Sequence, residues 1–315
     1  MSRQPDVTLT QLRYFVEAAS ALSMTKAAEE LRVAQSAVSA AIAQLERQVG
    51  TALFIRRHAR GLVLTAAGEE LLRDARGLLA HVGEVLDAAR GRGDEVRGHI
   101  KLAFMITLVP FVLPDLLAEL GANYPELEVE VLELEAGAVS DALRSGTVEA
   151  AVTYDLGLGP GVAREVIAEV PPYVILPPGH RLADQPEVRL GELVGEPMVL
   201  LDLPHSRDYF RDVVATSGTP PWIAYRSSSV EAVRGMVARG LGYSLLNQRP
   251  VLNGTYNGGH VEARPIADDV PALSVVVAWM ESIRRSARAR AVTDTVREVV
   301  QRLRSATWGG RPTPP

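Results

Sequence analysis

The chain has 315 residues, 47% of them hydrophobic and 23% charged, with a net charge of −5 and no cysteine. At roughly 100–200 residues per domain this length allows about two domains with real cores. Without cysteine, disulfides, thiol chemistry and cysteine-bound zinc are excluded. No stretch approaches the ~20 apolar residues of a membrane span, and the N-terminus carries no apolar leader run. The expected location is the cytoplasm, with no membrane partner. The charge is uneven: residues 1–65 hold eight Lys/Arg and five Asp/Glu, a net of +3, which leaves −8 for the rest. A mildly basic head on an acidic body suits a nucleic-acid module joined to another domain, or only a solvated basic face.

The head reads as three short helices. Thr10 is placed to cap the first, whose Leu12, Phe15, Val16 and Ala19 turn to one side. Ser23 offers an N-cap for a second helix over 24–31, with Ala27, Ala28 and Leu31 on a single face. After Arg32-Val33-Ala34, a third helix is expected over 35–49, closed by Gly50. On it Val38, Ile42, Leu45 and Val49 recur at helical spacing and should face a core. Ser36, Ser39, Ala40, Ala43 and Arg47 lie opposite, where small and hydroxyl side chains let the helix approach another surface. Leu53-Phe54-Ile55 and Leu62-Val63-Leu64-Thr65 then read as a β-hairpin with the basic tip Arg56-Arg57-His58-Ala59-Arg60-Gly61.

This pattern fits a helix-turn-helix, whose second helix must stay exposed on one face to enter a major groove. Gln35 can bond adenine bidentately, and Ser36 and Ser39 can bond bases or phosphates. Arg56, Arg57 and Arg60 can reach phosphates or a neighbouring minor groove. A plain three-helix core with a charged turn would share the pattern.

A long helix is expected from 66 to about 90. Leu71, Ala75, Leu78, Val82, Val85 and Ala89 form an a/d seam, flanked by Leu72, Leu79 and Leu86 at sevens. Such a seam predicts self-association through a coiled coil, or packing on the helix's own domain. Gly77 and Gly83 each weaken the helix by up to ~1 kcal/mol relative to alanine. Gly91-Arg92-Gly93-Asp94 reads as a hinge.

From 99 onward strands and helices alternate, with strands expected at 100–105, 127–133, 150–153, 173–176, 198–201, 242–246 and 274–279. Helices are expected at 111–123, 139–145, 206–216, 229–239 and about 283–304. The alternation predicts an α/β fold with mainly parallel sheets. Pro171-Pro172 and Pro177-Pro178-Gly179 bracket one short strand and suit a crossing between subdomains.

Enzyme readings fail on geometry. Asp202, His205 and Ser206 carry the letters of a catalytic triad, but within five residues they cannot readily form its relay. Gly242-Tyr243-Ser244-Leu245-Leu246 lacks the second glycine of a nucleophile elbow, and Gly240-Leu241-Gly242 is too short for a dinucleotide loop. The six histidines, at 58, 81, 99, 180, 205 and 260, have no ligand spacing. Glu126, Glu128 and Glu130 alternate with Leu127, Val129 and Val131, as in a strand with one wet face.

One ordered series is more specific than any of these. It runs Leu12, Phe15, Ala27-Ala28-Glu29-Glu30-Leu31, Val33-Ala34-Gln35-Ser36-Ala37-Val38-Ser39, Ile42, Leu45-Glu46, Gly50, Leu53-Phe54, Arg56, Leu64-Thr65 and Ala67-Gly68. In it, residues 9–68 resemble the N-terminal domain of LysR-type transcriptional regulators, and the rest of the chain fits that family in length and order. Proline usual in the family is replaced by Ser36, arginine by Ala40, and Arg57 adds a second wing arginine.

The resemblance implies a mainly α winged helix-turn-helix over 1–65 and a long coiled-coil linker helix for dimerisation over 66–92. A C-terminal α/β effector domain over 93–305 should follow, built of two subdomains like a type II periplasmic binding protein. Subdomain I would span about 98–170 and 273–305, subdomain II about 171–272, with a flexible tail at 306–315. The expected DNA-binding set is Thr25, Gln35, Ser36, Ser39, Ala40, Arg47, Arg56, Arg57 and Arg60. Effectors of the family bind between the two subdomains, at strand ends and helix N-termini that favour anions. Thr107, Tyr154, Pro204, His205, Ser206, Arg207, Ser228 and Asn247 stand at such places. His205 and Arg207 suggest an anionic ligand, or are solvated caps. The implied partners are a double-stranded DNA operator, a small organic effector and further copies of the chain as homodimer or homotetramer. RNA polymerase is a further candidate partner. No cofactor, metal or enzymatic activity is implied. The alternative is an architectural or effector-independent DNA binder with a vestigial pocket.

Overall fold

The first helix begins two residues earlier than expected. In the computed structural model, which describes residues 6–57, 61–89 and 95–308, α1 (Leu9–Ala21) is capped by Thr8 rather than Thr10. The Thr8 side chain accepts the Gln11 N–H at 3.2 Å, and Gln11 Oε1 accepts the Thr8 N–H at 2.8 Å. A glutamine three residues on completes that capping box, whereas Thr10 is followed at the same distance by Arg13. α2 (Met24–Leu31) starts at the Ser23 cap, and α3 (Gln35–Val49) ends at Gly50, whose φ of 79° suits glycine. Val38, Ile42 and Leu45 are buried with Leu12, Phe15 and Ala27. Val49 is 44% exposed, because the last turn of α3 runs past this core.

β1 (Phe54–Arg57) and β2 (Gly61–Leu64) form the antiparallel wing, with Phe54 opposite Leu64. Residues 58–60 of its tip, Arg60 included, lie outside the described residues. The Leu62 N–H donates to the Leu22 carbonyl at 3.1 Å and ties the wing to the end of α1. α4 (Ala66–Ala89) follows. Thr65 Oγ1 accepts the Gly68 N–H at 3.0 Å. A Cβ on Gly68 would stand 2.2 Å from the Leu53 carbonyl oxygen, so only glycine fits there. Leu72 and Ala75 are buried in the head core, while Leu78, Val85 and Leu86 are exposed. The helix thus divides its apolar positions between its own domain and an open strip. The expected hinge at 91–94 lies outside the described residues, and of the tail expected at 306–315 the first three positions instead continue the last helix to Trp308, while the rest lies outside the described residues.

The rest of the chain runs β3 (Gly98–Met105), α5 (Val109–Asn123), β4 (Leu127–Leu134), α6 (Ala136–Arg144), β5 (Ala150–Tyr154) and β6 (Val162–Val170). Next come β7 (Tyr173–Leu176), β8 (Pro197–Leu201), α7 (Ser206–Ala215), β9 (Trp222–Ser227), α8 (Val230–Ala238) and β10 (Ser244–Leu246). β11 (Glu262–Pro265), β12 (Leu273–Met280) and α9 (Ala287–Trp308) complete it. A five-stranded sheet has the order β4-β3-β5-β12-β6. α5 and α9 cover one face of it and α6 the other. β10-β7-β11 and β8-β9 form two smaller sheets around a separate core.

Mainly parallel sheets were expected, and this is corrected. β3 runs parallel to β4 and β5, but β12 is antiparallel to both of its neighbours, as β7 is to β10 and β11. β12 arrives from the second lobe and so runs against the strands it joins. The chain leaves the first lobe at Pro171-Pro172 and returns through 266–272. Glu128 and Glu130 lie exposed on the edge strand β4, where Lys101 Nζ on β3 pairs with Glu130 Oε1 at 2.5 Å.

Candidate DNA-binding surface and effector cleft

The first turns of α3 carry the polar face of the head. Gln35, Ser36, Ala40 and Arg47 are exposed and Ser39 is half-buried, opposite the buried Val38, Ile42 and Leu45. Gln35 Nε2 donates to Ser39 Oγ at 2.9 Å. The two groups are thus paired with each other and can exchange that bond for bonds to a base edge. Ala34 supplies no side-chain cap to α3, so its first amides remain available to a phosphate. Thr25 is exposed in the first turn of α2. Glu46 Oε1 accepts the N–H groups of Leu53 at 2.8 Å and Phe54 at 3.2 Å. That carboxylate fixes the entry of the wing against α3, so β1, with positions 56 and 57, holds a set orientation to the helix.

Between the two lobes lies a cleft lined by Thr107, Phe111, Tyr154, Leu201, Ser206, Phe210, Val230, Leu246, Asn247, Gln248 and Leu273. Of the residues expected from sequence, Thr107, Tyr154, Ser206 and Asn247 meet there. The N-terminal turns of α5, α7 and α8 reach it at Phe111, Ser206 and Val230. Burial pushes the Tyr154 phenol up to about 12, so it is neutral and can donate. Gln248 and Thr107 oppose that shift. Thr107 Oγ1 is itself buried and makes no hydrogen bond of acceptable geometry. Asn247 Nδ2 donates to the Val170 carbonyl at 3.0 Å and to the Tyr209 hydroxyl at 3.2 Å, and Tyr209 donates to the Pro271 carbonyl at 2.8 Å. Both crossings between the lobes are therefore tied to one amide and one phenol. The free space in it is only about 20 Å³, too little for an organic ligand as the side chains stand.

The other expected residues stand around the cleft rather than in it. Arg207 Nε lies 3.2 Å from Asp202 Oδ1, an ion pair without hydrogen-bond geometry, and Arg226 is 3.6 Å from the other oxygen. His205 stands at the N-cap position of α7 with a positive φ of 64° and no side-chain cap bond, and packs its ring on Gly157 of the first lobe. A Cβ at Gly157 would come within 2.9 Å of that ring. The Pro204 carbonyl accepts the Ser206 N–H at 2.8 Å. Ser228 is exposed, and its neighbour Ser229 caps α8 by accepting the Ala232 N–H at 3.3 Å. Asp202, His205 and Ser206 thus face three ways and form no relay. Among the described residues, no group of three His, Asp or Glu side chains could hold a metal ion, and no helix is long and apolar enough to cross a membrane. The apolar lining of Phe111, Phe210 and Leu273 was missed, because each reads simply as core in its own segment.

An exposed recognition helix with a wing, joined by a helix to a two-lobed receptor, defines a ligand-responsive DNA-binding regulator. The chain belongs to the LysR family. Residues 9–69 match the family model of the bacterial regulatory helix-turn-helix protein, lysR family, and residues 93–301 match the LysR substrate binding domain. It is 30% identical over 302 residues to the Hca operon transcriptional activator HcaR of Escherichia coli strain K12, covering 95% of this chain and 99% of that one. A probable hydrogen peroxide-inducible genes activator of Mycobacterium leprae is 32% identical over 308 residues, covering 95% and 96%. A full-length OxyR variant from Pseudomonas aeruginosa has a similar fold, with a TM-score of 0.78 at 29% identity, covering 92% of this chain and 98% of that one. This chain, with no cysteine, cannot answer an oxidant through a thiol. It is a LysR-type DNA-binding transcriptional regulator with an effector-binding domain.

Proposed function

We propose that the effector is a small carboxylic acid with an apolar body, bound between the lobes with its carboxylate toward Thr107 and Ser206. The buried Thr107 Oγ1, which lies beside the Tyr154 phenol but makes no hydrogen bond of acceptable geometry, carries this reading. A buried hydroxyl left unsatisfied costs about 1–3 kcal/mol, which a ligand acceptor would recover. Among the described residues no charged side chain lines the cleft, so the anion preference rests on the N-terminal turns of α5, α7 and α8, each a partial positive charge. Phe111, Leu201, Phe210 and Leu273 would hold the apolar body. Binding requires the cleft to widen, and regulation requires the acid to favour one arrangement over another.

The DNA-binding role of Thr25, Gln35, Ser36, Ser39, Ala40 and Arg47, with Arg56, Arg57 and Arg60 on the wing, belongs to the same proposal. So do dimers formed through the open strip of Leu78, Val85 and Leu86, tetramers built from them, a cytoplasmic location and the absence of catalysis. We divide the chain into a head at 1–65, a linker at 66–92, an effector domain at 93–305 and a tail.

Thermal-shift screening of aromatic and branched aliphatic carboxylic acids, with matching amines, tests the ligand class. An acid should raise the melting temperature of the wild type and do less for Thr107→Val. Equal stabilisation of both proteins would place the pocket elsewhere, and a response to amines alone would overturn the charge assignment.

A further inference from the structure

The buried apolar core of the DNA-binding domain shares no residue with the cores of the effector domain's first lobe. A cavity of about 690 Å³ lies between α4 and the first lobe beside their points of close approach, bordered by Arg73, Gly77, Leu78, Arg144 and Ile283. One side chain spans the junction between the two domains by directional bonds. Arg76, on α4, donates through Nη1 to the Ser145 carbonyl at 3.0 Å and to Thr147 Oγ1 at 2.9 Å. Through Nη2 it donates to Ser20 Oγ on α1 at 2.8 Å. A single planar guanidinium therefore joins the head, the linker helix and the α6–β5 loop. Its fork geometry suits this in a way an ammonium could not reproduce.

The surroundings are shaped to accept it. Gly146, between the two accepting residues, has φ 61°, and a Cβ there would stand 3.0 Å from the Arg76 Cβ. Glycine at that point lets the loop backbone come down onto α4. Ser145 Oγ and Thr147 Oγ1 lie 2.7 Å apart, which orients the acceptors. Ser20 Oγ is itself bonded to the Val16 carbonyl at 2.9 Å and cannot swing freely. Burial lowers the Arg76 pKa, and the Glu17 carboxylate on α1 opposes that shift.

We propose that Arg76 is the positioning residue that fixes the DNA-binding domain against the effector domain. The loop it grips opens directly into β5, a fully buried strand that ends at Tyr154 in the cleft. A shift of the first lobe at Tyr154 would therefore reach Ser145 and Thr147 along one rigid strand, and through Arg76 the helix-turn-helix. That last step rests on the cleft reading above; the fixing of the head does not.

The absence of cysteine makes the test clean, since two introduced cysteines take spin labels with no background. Glu30→Cys on α2 and Asp141→Cys on α6, both exposed positions, report the head-to-effector-domain distance. Labelled chains are diluted with excess unlabelled protein to remove distances between subunits, and no ligand or DNA is added. With Arg76 intact, one narrow distance distribution is expected. Arg76→Ala should broaden it by about twofold or split it, and Arg76→Lys should not restore the width. Ser20→Ala and Thr147→Val each cut one end of the bridge and should broaden it less. Neither should broaden it further when combined with Arg76→Ala, because residues acting as a unit are not additive. An unchanged distribution in Arg76→Ala, or full recovery with Arg76→Lys, overturns the proposal. If Arg76→Ala melts the head, seen as a lost calorimetric transition, the Ser20 and Thr147 variants decide alone, and native width in both overturns it.

Discussion

The DNA-binding head and the effector cleft are built in opposite ways. Among the described residues the head draws its exposed polar positions from one short segment, 25 to 47, and displays most of them on a helix whose other face is already buried. Its groups are already neighbours, as Gln35 and Ser39 are, and would only have to exchange one side-chain bond to meet a base. The cleft draws on positions from 107 to 273, brought together from both lobes, and leaves little free space. A surface on one rigid element suits a partner that is always the same shape. A cleft between two lobes suits a signal, because its two walls can move relative to each other about the crossings that Asn247 and Tyr209 bind.

The two regions should also fail separately. Gly68→Ala places a methyl against the Leu53 carbonyl oxygen, and overpacking of that severity should cost the head about 3 kcal/mol or more. Calorimetry should show the head transition lowered or lost while the effector-domain transition stays in place. If both fall together, the two regions are one folding unit and the contrast is wrong.

Within the head, specificity and affinity should separate too. Gln35→Ala and Ser39→Ala should relax base preference, at about 1–3 kcal/mol per lost base contact. Alanine at positions 56, 57 and 60 should weaken binding to all sequences and lower the salt slope by about one per lost phosphate contact. Footprinting with salt titration separates the two, and arginine variants that change only the preferred sequence would reverse the roles.

For the cleft, Asn247→Ala should lower the effector-domain transition alone, by about 1–2 kcal/mol, because the buried Val170 carbonyl loses its donor. A matching fall in the head transition would sink the separation from the other side. The smallest effect is expected between the regions. Gly83 has nothing within 4 Å of a would-be Cβ, so Gly83→Ala should stabilise α4 by up to ~1 kcal/mol without altering DNA or ligand binding. A loss of stability there would mean that the backbone at Gly83 is closely approached in the assembled regulator.

What the sequence determined by itself was local. The spans of α2, α3 and β7, the Ser23 cap and the Gly50 stop all follow from periodicity and end signals within a few residues. The family was legible for the same reason, since its motif lies in one contiguous helix-turn-helix. Where two local signals competed, the cap went to Thr8, because only its partner Gln11 could close the box. The tertiary structure decided everything that depends on which segments become neighbours. β6, β9 and β11 were not foreseen, since β9 is largely exposed, β11 is four polar-rich residues, and β6 is defined by its pairing with β12. Arg207 left the cleft for Asp202, and Phe111, Phe210 and Leu273 entered it. Arg76 gave no signal at all, as an arginine on a helix reads as solvated until the chain folds a carbonyl and two hydroxyls around it. Burial and pairing across long separations are properties of the packed chain, and no window of the sequence contains both partners.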